Sequence, residues 1–566
     1  MSDKRLTFVI VGVGIVSGII LSRLFFLQVT HAEYYRAKAE RQHAVSILTT
    51  PRRGDIFFED KEGRLVPAAS TKRVYTLAGN PQQIEDVRSA YDTFVAYIPL
   101  EEDAFFPLAE SMERTYASFM RGIDKDTAQR IPMSDMKGFW LEEEETRAYP
   151  SHTLGSHLLG FVGFDGDERV GQYGIERMYD SVLHGKGGSV VGERSAGGTL
   201  LSIGRDLFRE KQDGRDIVLT IDPNIQSFAA GQITALEEMW HPKSVGVLVV
   251  DPQTGAILAM EASPSFDPNT YGDVEDYNVF INPFTESTFE MGSIFKPLTM
   301  SIGLDTRSIT EKTTYFDAGS VRVRDATIGN YDGRGRGWQS MLDILDQSLN
   351  TGSVFIQQQI GERAFRDYIE RLGLGRRTGI DLPNEVAGNI HNLETGGEVE
   401  YATASFGQGI ALTPIGITSA LSSIANGGTL VRPYIVDRVL SEDTVVEKTE
   451  TDTRRRVFKE ETTEMVSRML VSVVDNTLAN GVVYMPEYSI AAKTGTAQIA
   501  NSSSLGYSDE FLHTFFGYAP AYDPEFLIFY FLERPVGVRY ASQTLSEPFR
   551  EMTDFIINYY QILPDR

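Results

Sequence analysis

The sequence predicts an α/β (α+β) domain, an antiparallel sheet with flanking helices, preceded by an elongated, mostly β pedestal and one N-terminal transmembrane helix. Three observations predict it. An apolar run extends from Leu6 to Val29; short β-rich pieces alternate with charged stretches from Ile47 to about Gly214; and strand-like segments at both ends of the remaining chain enclose a long stretch of helical pattern. A chain of 566 residues, 42% apolar and 11% aromatic, is far longer than a single hydrophobic core requires, so two or three domains are expected.

The first element follows from bilayer thickness. Lys4 and Arg5 precede an almost unbroken apolar run whose one charged residue is Arg23, and a helix rising about 1.5 Å per residue needs about 20 such residues to cross the hydrocarbon core. A cleaved signal peptide would have a shorter apolar region ending in small residues, whereas this one continues into Leu24, Phe25, Phe26 and Leu27. Residues 1–30 therefore read as a short tail and an uncleaved signal-anchor. Residues 31–46, with Tyr34, Tyr35, Ala37 and Ala39, suggest a helical stalk. Residues 47–214 form the pedestal, in which the acidic run Glu142 to Glu145 reads as a solvated loop face, and glycines clustered from Gly185 to Gly204 mark its end.

Residues 215–566 open with a strand at Asp216–Ile221. Ser244–Val250 and Ala256–Glu261 then flank Asp251-Pro252-Gln253-Thr254-Gly255, a hairpin signal. A mostly helical stretch follows from Pro283 to about Gly428, and three further strands are expected at Ser489–Gln498, His513–Tyr518 and Phe526–Leu532. The closing helix takes Ser546 as its N-cap, Pro548 in its first turn, and an apolar stripe of Phe549, Met552, Ile556 and Tyr560.

Three short motifs lie in the last of these segments: Ser293-Ile294-Phe295-Lys296, Ser348-Leu349-Asn350 and Lys493-Thr494-Gly495. Each alone is weak; their order and context carry the chemistry. On a helix beginning near Gly292, residues three apart share a face, so the Lys296 amine reaches the Ser293 hydroxyl. A serine needs a base to become a nucleophile, and a lysine serves as one only when burial or a second cation removes its own proton. Lys493 is the candidate second cation. Ser348 offers a hydroxyl to relay a proton to a leaving amine, and Asn350 an amide to hold Lys296 and the substrate backbone. The third motif has strand character, so an extended peptide can pair beside the nucleophile, with Gly495 allowing close backbone approach and Lys493, Thr494 and Thr496 gripping a terminal carboxylate. The backbone N–H groups of Ser293 and Thr496 are the candidate oxyanion hole.

Other chemistries find little support. A net charge of -25 repels nucleic acid, so no nucleic-acid partner is expected. Zero cysteines exclude disulfides, thiolate metal sites and cysteine nucleophiles. The eight histidines, His152 and His157 among them, lack metal-ligand spacing, and no P-loop is present, so neither metal nor cofactor is expected.

These residues resemble the class B penicillin-binding proteins. Glu290-Met291-Gly292-Ser293-Ile294-Phe295-Lys296-Pro297 is similar to the family's nucleophile block, with Met291 where proline is usual. Ser405 to Ile410, Thr413-Pro414 and Ala425 to Gly428 are similar to its groove-forming blocks. Arg53-Gly54-Asp55-Ile56, Arg147-Ala148-Tyr149-Pro150 and Gly171 to Glu176 resemble its pedestal, and His513 to Pro520 leans toward the division rather than the elongation type. Ala492 replaces the common glycine before Lys493. The resemblance implies a serine transpeptidase/β-lactamase-like fold and peptidoglycan stem peptides ending in D-Ala-D-Ala as substrate. It also implies β-lactams as covalent inhibitors, a polytopic membrane glycosyltransferase and other division or elongation proteins as partners, and anchoring in the bacterial cytoplasmic membrane with the N-terminus inside and the bulk extracytoplasmic. The competing readings are an idle scaffold that activates the glycosyltransferase, a membrane-anchored β-lactamase and a penicillin sensor. A β-lactamase needs neither anchor nor pedestal, and a sensor needs further spans.

Overall fold

The computed structural model describes residues 3–32, 44–49, 51–166, 168–194, 200–209, 211–501 and 506–566. The chain divides into two compact units, one of Met1–Arg53 with His184–Gly214 and one of Gly54–Leu183 with Arg215–Arg566.

In the first unit a helix spans Asp3–Phe25 and continues in a wider turn over Phe26–Thr30. Phe8, Ile15 and Leu21 are all exposed on it, and the stretch Phe8–Thr30 is long and apolar enough to cross a membrane. The expected stalk helix falls largely on residues 33–43, outside the described residues, and its last positions belong to a strand, Ala44–Thr49. That strand pairs antiparallel with Gly188–Arg194, which pairs with Leu200–Arg209.

The second unit contains two sheets. In a seven-stranded sheet, Ile56–Glu59, Leu65–Gly79, Ala117–Ile123 and Phe139–Ala148 join three strands from later in the chain: Asp216–Leu219, parallel to Ile56–Glu59, then Val436–Ser441 and Thr444–Lys448. The acidic run Glu142 to Glu145, expected as a loop face, is instead the interior of a strand. Cross-strand register sets Glu145 opposite Arg73 and Glu143 opposite Tyr75, and Arg73 approaches Glu143 at 3.4 Å, so opposite charges replace apolar pairing there. Polar contacts also tie the early strands to later segments. Arg438 donates two hydrogen bonds of 2.6 and 2.8 Å to the Glu59 carboxylate, and the Gly155 N–H donates to Glu261 at 2.9 Å.

The second sheet positions the site. Its strands are β1 (Ser244–Val250), β2 (Ile257–Ser263), β3 (Ala491–Ala500), β4 (Tyr507–Ala519) and β5 (Phe526–Glu533). The order β2-β1-β5-β4-β3 is antiparallel throughout and leaves β3 at an edge. Every residue of β5 is buried, because helices cover both faces. Asp251 fixes the β1–β2 turn by accepting from the Gln253 and Thr254 N–H groups. The helices that matter here are α1 (Lys296–Asp305), α2 (Met341–Asp346), α3 (Asn350–Ile360) and α4 (Glu460–Asn476). The region expected as mostly helical also carries two small antiparallel pairs, Thr314–Asp317 with Gly337–Ser340 and, between them in sequence, the hairpin Ser320–Val323 with Ala326–Gly329. Strands of four residues leave too short a period-two pattern to stand out. The closing helix is Ser546–Tyr560, with Leu545 at its N-cap rather than Ser546, whose hydroxyl is buried inside the first turn.

Candidate active site

The site forms where α1, the α2–α3 connection and edge strand β3 converge. Ser293 lies in a single tight turn, Gly292–Phe295, that runs directly into α1. All ten residues of α1 are buried, which fixes the turn from behind. Its front is held by β3. A Cβ at Gly495 would lie 2.3 Å from Thr514 Oγ1 and 2.8 Å from the Met291 carbonyl oxygen, so only glycine lets the nucleophile segment approach this closely. The expected close backbone approach at Gly495 is therefore made by the protein itself. Thr514 Oγ1 donates to the Met291 carbonyl at 3.0 Å, and the Gly292 N–H donates to Gly407 at 3.1 Å, which brings the Ser405 to Ile410 segment against the same turn.

Ser293, Ser348, Asn350, Lys493, Thr494 and Thr496 line one cleft of about 720 Å³; Lys296 and Gly495 sit behind its wall. Lys296 is 1% exposed and donates to the Ser348 carbonyl at 2.5 Å and to Ser348 Oγ at 3.2 Å. The expected Lys296 to Ser293 hydrogen bond is absent among the described residues. A neutral amine has two N–H groups and one lone pair; with both N–H groups on Ser348, the lone pair is left for a proton from Ser293. Burial pushes the Lys296 amine well below the ordinary lysine range, and the charge of Lys493 pushes it the same way. Lys493, 2% exposed, is brought by burial down to about 8 against the opposing effect of Asp346.

The Asn350 Nδ2 donates to the Gly329 carbonyl at 3.0 Å, which fixes the start of α3 against the Ser320–Gly329 hairpin; no hydrogen bond between Asn350 and Lys296 occurs among the described residues. The Thr496 hydroxyl accepts from the Ala541 N–H at 3.0 Å, which leaves its own proton for a ligand. Sequence reasoning missed Asp346, Asn330, Tyr331, Arg539 and Tyr540, which also line the cleft. Asp346 stands two residues before Ser348, a spacing that could have drawn attention to it; the others reach the cleft from loops that carry no pattern. His152 approaches Asp267 at 2.8 Å and His157 the Val279 carbonyl at 2.9 Å; no group of His, Asp and Glu able to hold a metal occurs among the described residues.

A nucleophile-bearing turn, a buried amine whose proton burial makes easier to lose, a relay hydroxyl and a second buried amine beside an open strand edge can perform acyl transfer. Comparison with known proteins agrees. Residues 245–554 match the family model described as the penicillin binding protein transpeptidase domain, and residues 48–219 match that of the penicillin-binding protein dimerisation domain. The chain is 31% identical to stage V sporulation protein D of Bacillus subtilis over 96% of its own length and 84% of that protein's. It is 25% identical to the probable peptidoglycan D,D-transpeptidase PenA of Neisseria meningitidis, over 100% and 94% of the two chains. Penicillin binding protein 2X from Streptococcus thermophilus shares the fold, with a TM-score of 0.75 at 21% identity over 91% of this chain and 81% of that one.

Proposed function

This chain belongs to the class B penicillin-binding proteins and is a peptidoglycan D,D-transpeptidase, and we propose that its chemistry runs through Ser293. Lys296 takes the Ser293 proton, and the freed oxygen attacks the carbonyl of the penultimate residue of a stem peptide ending in D-Ala-D-Ala. The backbone N–H groups of Ser293 and Thr496 stabilise the oxyanion. Collapse expels the terminal D-Ala, whose amine receives its proton by way of Ser348. An amine of a second stem then attacks the acyl-enzyme, which forms the cross-link and returns the proton to Ser293. Lys493, with the hydroxyls of Thr494 and Thr496, receives the terminal carboxylate, and the donor peptide lies along the free edge of β3. β-Lactams acylate the same serine. The observation that carries this reading is the buried amine of Lys296, three residues from Ser293, with its donors turned to Ser348 and a second buried amine nearby.

The functional division into anchor (1–30), stalk (31–46), pedestal (47–214) and transpeptidase domain (215–566) belongs to the same proposal. So do a single-pass, N-terminus-inside orientation with the bulk extracytoplasmic, a polytopic glycosyltransferase partner and a role on the division side. The apolar Phe8–Thr30 stretch supports the anchor. The test is acylation of the full-length, detergent-solubilised chain by a fluorescent penicillin, with Ser293→Ala as control; no labelling of the folded parent would sink the catalytic reading in favour of the idle scaffold.

A further inference from the structure

Asp346 is the last residue of α2 and lines the active cleft together with Lys493. A carboxylate is poorly placed there. The closing carbonyls of a helix make the local potential negative, and Asp346 Oδ1 is buried with no hydrogen-bond partner among the described residues. Lys493 mirrors it: its one hydrogen bond among the described residues is a long one, 3.4 Å, to the adjacent Thr494 carbonyl. A carboxylate and an ammonium, each short of partners, thus face one cleft from α2 and from β3.

We propose that Asp346 is a positioning residue for the transpeptidation site: its negative charge keeps the proton on Lys493, so that the site holds one ammonium, at Lys493, and one neutral amine, at Lys296. The proposal rests on the roles given to those two lysines above. Burial, then the neighbouring charge of Asp343, brings Asp346 up to about 6, with Lys493 opposing, and Lys493 stands at about 8. Between those values both are charged and each stabilises the charged form of the other. The remaining ionisable groups around the pair do not replace this charge interaction. Lys296 on α1 repels Lys493 when protonated; Asp343 on α2 is engaged by the Ser340 N–H and hydroxyl; and Arg539 enters the cleft from the segment after β5. From α4 and the residue after it the cleft receives Val473 and Thr477, which carry no charge. Without Asp346, Lys493 would lose its proton at lower pH, and with it the cation that meets the substrate carboxylate.

The test is the pH dependence of acylation of the full-length, detergent-solubilised chain by a fluorescent penicillin, for the parent, Asp346→Asn and Asp346→Glu. The alkaline limb of Asp346→Asn is expected about one pH unit below the parent's. The parent-to-variant rate ratio then grows from about one near pH 6 toward about tenfold above pH 8.5, while Asp346→Glu keeps the parent's limb. Asp346→Ser, which removes the charge with fewer atoms to place, is expected to behave as Asp346→Asn if the latter folds poorly. A ratio that stays constant with pH, or equal losses in the Asn and Glu variants, would overturn the proposal, because disturbed packing slows acylation at every pH alike. Labelling that persists in Ser293→Ala would count instead against the site reading on which the proposal rests.

Discussion

Ser348 occupies the left-handed region with φ of +53°, a conformation that costs a non-glycine residue on the order of 1–2 kcal/mol. It is held there by the Leu349 N–H on the Ile344 carbonyl at 3.0 Å and by the Lys296 amine on its own carbonyl and hydroxyl. The strain sits where one residue must turn the chain from α2 into α3 and still present its oxygens to a buried amine. Lys296 carries a second cost. Burial holds its native pKa well below the ordinary 10.5, so over the range between the two the native state binds fewer protons than the unfolded chain. That penalty is largest at low pH and shrinks as pH rises toward 10.5. Lys296→Met is therefore expected to abolish penicillin acylation while raising the melting temperature at pH 7, with the gain fading by pH 10. An equal shift at both pH values, or a loss of stability, would contradict a neutral buried amine. At this scale the motif residues were legible because spacing alone puts them on one turn, one connection and one strand. Tyr331 and Arg539 were not, because which loop side chains enter a cleft depends on tertiary packing, and Asp346, at the end of α2, belongs to none of the three motifs.

At the scale of elements, β3 serves both as a sheet edge and as a brace for the nucleophile. Gly495→Ala places a methyl group against the Met291 carbonyl and Thr514 Oγ1, and such overpacking costs about 1–3 kcal/mol. The Ser293 turn has to move to make room. The expected outcome is a melting temperature lowered by several degrees and acylation slowed at least tenfold, measured by thermal unfolding and by the rate of fluorescent penicillin labelling; an unchanged rate would show that β3 does not position the serine. The long strands were readable in the sequence because β1 and β5 are runs of apolar residues bounded by turn signals. Glu142 to Glu145 misled because charge was read as loop, whereas Arg73 and Tyr75 across the strand accommodate it. Ser546 misled for a different reason. A serine before an apolar stripe signals an N-cap, but here the helix begins with that serine already in helical conformation.

For the molecule as a whole, the seven-stranded sheet includes segments from both sides of residue 214, since Asp216–Leu219 pairs with Ile56–Glu59 as well as with Val436–Ser441. The sequence suggested a break there because glycines cluster nearby, and local composition cannot report which strands pair across the chain. Shared hydrogen bonding and the Arg438 to Glu59 contact join Gly54–Leu183 and Arg215–Arg566 in one compact unit, which is expected to unfold cooperatively. Calorimetry of the solubilised protein should accordingly show a single main transition for these segments; two well-separated transitions would contradict it. Whether Ser293 Oγ is the atom that becomes acylated is read out by intact-mass measurement of the full-length chain after exposure to a fluorescent penicillin. One added penicillin mass is expected, mapped to the Ser293 peptide and absent from Ser293→Ala; adduct on another residue, or none on folded parent protein, would rule out Ser293 as the nucleophile.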